Sequence, residues 1–207
     1  MALIVSDTGG GGDFTPAPEG THFAVCDMVV DLGQQKTTYQ GVESVKHQIY
    51  LRWQIPDERT EWTDGEGKKQ TGPVVIGKTY TASLGEKANL RKDLQSWRSR
   101  AFTDAELKAF DVANLLGAPA MISIVHNHKD GKTYANIGAI GKLPKNSQVP
   151  QVENGTVLYD PDNTGTLDKL PKWLREKIDA RIVPTNTTDA NDPDSWRNAE
   201  LDDDVPF

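Results

Sequence analysis

The chain has 207 residues, 36% hydrophobic, 26% charged and 7% aromatic, enough for one core with extensions. Its mean hydropathy of -0.58 leaves no run of about 18 apolar residues to span a bilayer, and the opening Met-Ala-Leu-Ile-Val lacks the length and basic flank of a secretory signal. One cysteine, Cys26, excludes an internal disulfide framework and a cysteine-clustered zinc site, as in a reducing cytoplasm, and 23 Lys and Arg against 30 Asp and Glu, net -7, argue on their face against a nucleic-acid partner.

Residues 1–19 read as a flexible lead-in, with glycines from Gly9 to Gly12 and then a proline-stiffened stretch through Pro16 and Pro18. Thr21 to Asp31 is rich in β-branched and apolar residues and ends at Gly33, which predicts a first strand. Ser44 to Ile55 alternates most clearly: Val45, His47, Ile49, Leu51, Trp53 and Ile55 share one face, and Lys46, Gln48, Tyr50, Arg52 and Gln54 the other. The first face is expected to be core. The second is basic, amide-rich and aromatic. Pro56 should stop the strand, leaving Asp57 to Gly72 as a mobile hairpin loop before a third strand from Val74 to Leu84.

Glu86 to Arg100 predicts a helix with Leu90, Leu94 and Trp97 on one stripe. Thr103-Asp104-Ala105-Glu106 is a capping box for a short helix through Phe110. Pro119 to His128 and Thr133 to Ile140 flank the turn Lys129-Asp130-Gly131-Lys132, an Asp-Gly hairpin. Three strands, a helical segment and two strands are the element order of an OB-fold, a five-stranded Greek-key barrel that binds oligonucleotides across one face. The expected fold is therefore mainly β, an OB-fold barrel over residues 20–145 with helices between strands 3 and 4. Residues 146–185 should form a loop and an amphipathic helix, Lys169 to Arg181, whose Trp173, Leu174 and Ile178 pack on the barrel, although partner binding by that helix is an alternative.

A single-strand binder needs a basic groove for phosphates and aromatic faces for bases. Lys46, Tyr50 and Arg52 supply both on one strand face; Lys78 and Tyr80 share a face of the third strand; Trp62, Lys68 and Lys69 lie in the loop that could close over a strand. For either tyrosine the alternative is a half-buried sheet position. Trp53 and Trp97 are assigned to packing. Gly72 to Thr79 fits a phosphate-binding glycine loop in letters, but lacks a buried strand before it and a helix after it. His126-Asn127-His128 puts two histidines on one strand face without an evident third ligand. No catalytic residue, metal or cofactor is expected.

The charge is unevenly spread. From Asn186 to Phe207, seven acids face only Arg197, so this segment carries -6 and residues 1–185 carry -1. Residues 186–207 are expected to be a disordered acidic tail. It closes on Asp202-Asp203-Asp204-Val205-Pro206-Phe207, a charge run before a stiff apolar dipeptide and a carboxylate, suited to an apolar pocket edged by Lys or Arg.

This ending resembles the acidic tip of bacterial single-stranded DNA-binding proteins, with Val205 where the family has Ile. The body, with Pro16-Ala17-Pro18-Glu19-Gly20-Thr21 leading to Val30-Asp31-Leu32-Gly33, looks like phage-encoded single-stranded DNA-binding proteins over residues 14–145. The resemblance implies an OB-fold protein, not an enzyme, that coats single-stranded DNA without strong sequence preference during viral replication, recombination or repair. It implies recruitment of partner proteins through residues 202–207, in the cytoplasm of an infected bacterium, with no membrane. A P-loop nucleotide hydrolase of a viral replisome and an adaptor without DNA contact are the alternatives.

Overall fold

The alternation of the second strand builds the middle of an antiparallel sheet. The computed structural model describes residues 15–63, 67–162 and 164–183. Among these, the elements are β1 (Gly20–Tyr39), β2 (Val42–Thr63), β3 (Lys69–Thr81), α1 (Asn89–Arg98), α2 (Asp104–Lys108), β4 (Pro119–Lys129), β5 (Lys132–Gly141), β6 (Val157–Tyr159) and α3 (Lys172–Asp179), with 3₁₀ turns at Val112–Leu115 and Thr164–Lys169. The protein is mostly β. Its sheet runs β3-β2-β1-β4-β5 and curls into a half-barrel, with the end strands β3 and β5 close together and β6 parallel to β1.

The strands are longer than alternation alone predicts. Pro56 does not end β2: pairing breaks between Ile55 and Arg59, then resumes with Arg59 opposite Pro73 and continues to Thr63 opposite Lys69. A proline has no N–H for the ladder, and a three-residue bulge on β2 takes Pro56, Asp57 and Glu58 out of it. Most of the expected loop is therefore paired strand. At the other end of β2, Val45 belongs to the predicted core face but is 53% exposed, because the β1–β2 hairpin extends beyond the elements that could cover it.

Two bulges in β1 set its faces. Cys26 pairs with Trp53 and Met28 with Arg52, so Asp27 is an extra residue; Asp31 pairs with Ile49 and Gly33 with Gln48, so Leu32 is another. Gly33 has φ 68 and its N–H donates to Asp31 Oδ1 at 2.7 Å, a backbone conformation that glycine adopts without steric cost. The result is two cores on opposite faces of the sheet. Inside the curl, Ala24, Cys26, Leu51, Trp53, Ile55, Ile76, Ile122 and Ile124 meet Leu90, Leu94 and Trp97 of α1. Trp53 and Trp97 lie 5.6 Å apart, and Trp97 Nε1 donates to Pro119 O at 2.7 Å, as packing residues should.

Outside the curl, Met28, Val30, Leu32 and Tyr50 are covered by Tyr159, Leu170, Leu174 and Ile178. Full burial of Leu174 and Ile178 is worth about 1.5–3 kcal/mol each, enough to hold a short amphipathic helix on the sheet. Gln35 Nε2 donates to the carbonyl of Lys177 at 2.9 Å, which fixes the end of α3. At the other end of the chain the lead-in is tied down by residue 17: Ala17 is buried in the main core.

Candidate nucleic-acid interface

The face proposed from alternation, Tyr50, Arg52 and Gln54, exists as one side of β2, but it does not meet solvent at its centre. Arg52 is 9% exposed and donates from Nε and Nη2 to Asp27, the latter at 2.6 Å to Oδ2. Gln54 Nε2 donates to the same oxygen at 2.9 Å, while its Oε1 accepts from the backbone N–H of Glu153 at 3.0 Å. Glu153 also accepts from Arg59 Nη1 at 2.5 Å, so the 150s loop is fastened to β2 on both sides of the Pro56 bulge. A charge buried this far is tolerable only when paired and hydrogen-bonded. Arg52 neutralises Asp27 here and is not available to a phosphate.

Tyr50 is buried too. Its ring meets Trp173 of α3 edge-on at 5.1 Å and lies over Gly77 of β3. Burial pushes its hydroxyl pKa up to about 12. The expectation of an exposed Lys46, Tyr50 and Arg52 surface is corrected for Tyr50 and Arg52, because α3 and the 150s loop, more than ninety residues away in sequence, cover that face. Lys46 alone of the three is exposed, in the β1–β2 hairpin arm.

Lys78 and Tyr80 fall on the opposite face of the sheet. Lys78 pairs with Leu51 and Tyr80 with Ile49, both core-facing residues of β2. Lys78 Nζ and the Tyr80 hydroxyl both donate to Asp93 Oδ2 of α1, at 2.7 and 2.8 Å. Burial, then the Asp93 carboxylate, pushes the Tyr80 hydroxyl pKa up. These two residues therefore anchor α1 and do not join the β2 set. The stretch Gly72 to Thr79 lies within β3 and is paired to β2 from Gly72–Thr60 through Thr79–Tyr50, apart from the bulge; it forms no loop opening a helix.

Trp62, Lys68 and Lys69 stay together at the distal end of the β2–β3 hairpin. Trp62 is half-buried against Gly72, where an added Cβ would lie 3.1 Å from the indole, and Lys68 and Lys69 are exposed. Four of the eight proposed residues, Lys46, Trp62, Lys68 and Lys69, thus remain at the surface.

A better-formed surface lies on β4 and β5, where none of the proposed residues is found. Asp130 and Gly131 have φ 52 and 73, the paired positive values of a two-residue type I′ turn. That turn fixes the register: Lys129 faces Lys132, Asn127 faces Tyr134 and Val125 faces Asn136. Side chains directly opposite in an antiparallel pair share a face. This face carries two lysines at the tip, then a tyrosine beside an asparagine, then a valine beside a second asparagine, and Tyr134 and Val125 are 43% and 40% exposed. The other face is engaged: His126 Nε2 donates to Ala17 O at 2.8 Å and His128 Nδ1 lies 3.0 Å from Thr133 Oγ1. Both histidines are on one strand face, as alternation predicts, and each has a hydrogen-bond partner within the protein. Period two applied outward from the Asp-Gly turn was the sequence signal for the Tyr134 surface.

Among the described residues no three His, Cys, Asp or Glu side chains are grouped to hold a metal ion, and no helix is long and apolar enough to cross a membrane. Cys26 is buried, and burial followed by the charge of Asp27 pushes its thiol pKa up to about 12, which leaves almost no thiolate for nucleophilic work. The proposed docking residues Asp202, Asp203, Asp204, Val205, Pro206 and Phe207 lie outside the described residues. No protein-family model matches the chain, and no curated protein matches it in sequence.

Proposed function

We propose that this chain is a non-enzymatic protein that coats single-stranded DNA without strong sequence preference during viral DNA replication and recombination. The observation that carries the reading is the β4–β5 face, where exposed Tyr134 stands between the amides Asn127 and Asn136 beneath Lys129 and Lys132. An exposed ring stacks on any base, and each such stack contributes about 1–3 kcal/mol; neighbouring lysines meet the phosphates on either side. Trp62, Lys68 and Lys69 offer a further contact surface on the β2–β3 hairpin, while Lys46, opposite Gln35, lies toward the other end of β1 from the β4 pairing.

The strand order β3-β2-β1-β4-β5, with α1 between β3 and β4, supports an OB-type Greek-key barrel. In that fold the hairpin joining the last two strands is a usual contact to oligonucleotides. The net charge of -1 over residues 1–185 is compatible with binding because two pairs of lysines, Lys68 with Lys69 and Lys129 with Lys132, stand at hairpin tips. Residues 202–207 would then serve as the docking peptide for replication or recombination enzymes.

The test is a titration of fluorescent oligo(dT) across salt concentrations, with single-stranded and duplex competitors. Binding that weakens steeply with salt and is displaced by single-stranded but not duplex competitor is expected. Absence of any shift at low salt would overturn the reading in favour of an adaptor without DNA contact.

A further inference from the structure

A second basic surface lies away from the hairpin faces. An open groove of about 910 Å³ wraps the end of β3, between the segment leading into α1 and the C-terminal half of α3. Three lysines reach it from three separate elements: Lys78 from β3, Lys87 from the segment before α1, and Lys177 from α3. Thr79, Thr81 and Ser83 supply hydroxyls along its floor. Lys78 is held by Asp93. Lys87 and Lys177 have no ion-pair partner among the described residues.

Lys177 is half-buried, and that burial alone pulls its ammonium pKa down. Partial desolvation of a cation with no carboxylate beside it is unfavourable, and an anion entering the groove relieves it. The wall formed by α1 is consistent with an anion. Ala88, the residue preceding the helix, makes no side-chain cap, and the first turn carries no acid. The one carboxylate at the groove is exposed Glu86. Two ammonium groups carried by separate elements, beside three hydroxyl side chains, suit successive phosphate groups.

We propose that this groove is a site for successive phosphate groups, with the backbone of a single DNA strand as its ligand. The strand source rests on the reading of the chain as a single-strand binder; the phosphate chemistry does not. A strand seated here would continue past the end of β3, so Lys87 and Lys177 neutralise phosphates while the hairpin residues hold bases.

The experiment has two arms, both on the full chain. In the first, oligo(dT) affinity is measured against salt for the wild type, for K87Q combined with K177Q, and for K172Q. The last removes one charge from the same helix outside the groove. For single strands each neutralised phosphate contributes a slope of about -0.7 in log K against log salt. The double variant should lose about 1.4 of slope and K172Q essentially none, while E86Q should tighten binding. A double-variant slope equal to that of K172Q would remove the strand from the groove.

In the second arm, inorganic tripolyphosphate is titrated into ¹⁵N-labelled protein. Amide shifts concentrated in residues 78–89 and around Lys177, and lost in the double variant, support the site even if oligo(dT) fails to bind, in which case only the strand source falls. No shift there, with the double variant's amide spectrum otherwise native, overturns the proposal.

Discussion

Replacing Gly77 by Ala puts a methyl group where Tyr50 already lies. An added Cβ would sit 2.0 Å from the Tyr50 hydroxyl oxygen, 2.2 Å from Cζ and 2.6 Å from Cε2, all far inside van der Waals contact. The neighbour is a ring, itself packed edge-on against Trp173 and buried between the sheet and α3, so it cannot swing away freely. Overpacking of this kind costs about 1–3 kcal/mol, and displacement of the ring forfeits about 0.5–1.5 kcal/mol from the aromatic pair. A total near 2–4 kcal/mol corresponds to a fall of roughly 4–16 °C in the unfolding midpoint for a chain of this size. The assay is thermal and urea unfolding of G77A, Y50L and the double variant. Leucine lacks the three clashing atoms, so the cost of G77A should largely vanish in the Y50L background, a coupling of about 1–3 kcal/mol. A G77A protein within about 0.5 kcal/mol of wild type, or strict additivity in the cycle, would refute the placement of Tyr50 beneath α3.

Y134A should weaken oligo(dT) binding by about fivefold to a hundredfold, the loss of one stack, with the unfolding midpoint unchanged because the ring is exposed. R52A should instead destabilise the fold by about 3–5 kcal/mol by leaving Asp27 buried and unpaired, with oligo(dT) affinity of the folded protein within twofold of wild type; D27L combined with R52M should restore most of the stability in urea unfolding. Glu106 accepts from Arg100 Nη2 at 2.6 Å, from the Thr103 N–H at 3.0 Å and from Arg98, and these bonds, Arg100 foremost, pull its carboxyl pKa down to about 2. Because the folded value lies below the unfolded one, its contribution is complete above the ordinary value of 4.5 and is lost as pH falls from there toward about 2. A carboxyl NMR titration should place its midpoint near 2, and a midpoint near 4.5 would show that the network does not persist in solution.

Several elements were legible because their causes are local. The Leu90, Leu94 and Trp97 stripe is a buried face of α1. Thr103 and Glu106 make both bonds of the capping box that their spacing predicts. Asp130-Gly131 turns the β4–β5 hairpin where an Asp-Gly pair should. Alternation in β2 also separates Leu51, Trp53 and Ile55 from Tyr50, Arg52 and Gln54 correctly. Each of these depends on residues within a turn or two of one another, whose chemistry the chain carries wherever it folds.

Tertiary structure alone decided what the second face of β2 touches. Period two sorts side chains within one strand, but which face of β3 joins it depends on cross-strand register. That register sends Lys78 and Tyr80 to the core side with Leu51 and Ile49. Likewise, the polar face of β2 looked solvated until α3 closed over it, with a hydrogen bond joining Gln35 to Lys177 across 142 residues of sequence. The sequence by itself determined the order of the first five strands, the α1 stripe, the Asp-Gly turn and the separation of an acidic C-terminal segment from a nearly neutral body. Only the packed structure, through register, the bulges at Asp27 and Leu32 and the coverage by α3, moved the exposed aromatic and basic surface from β2 to the β4–β5 hairpin.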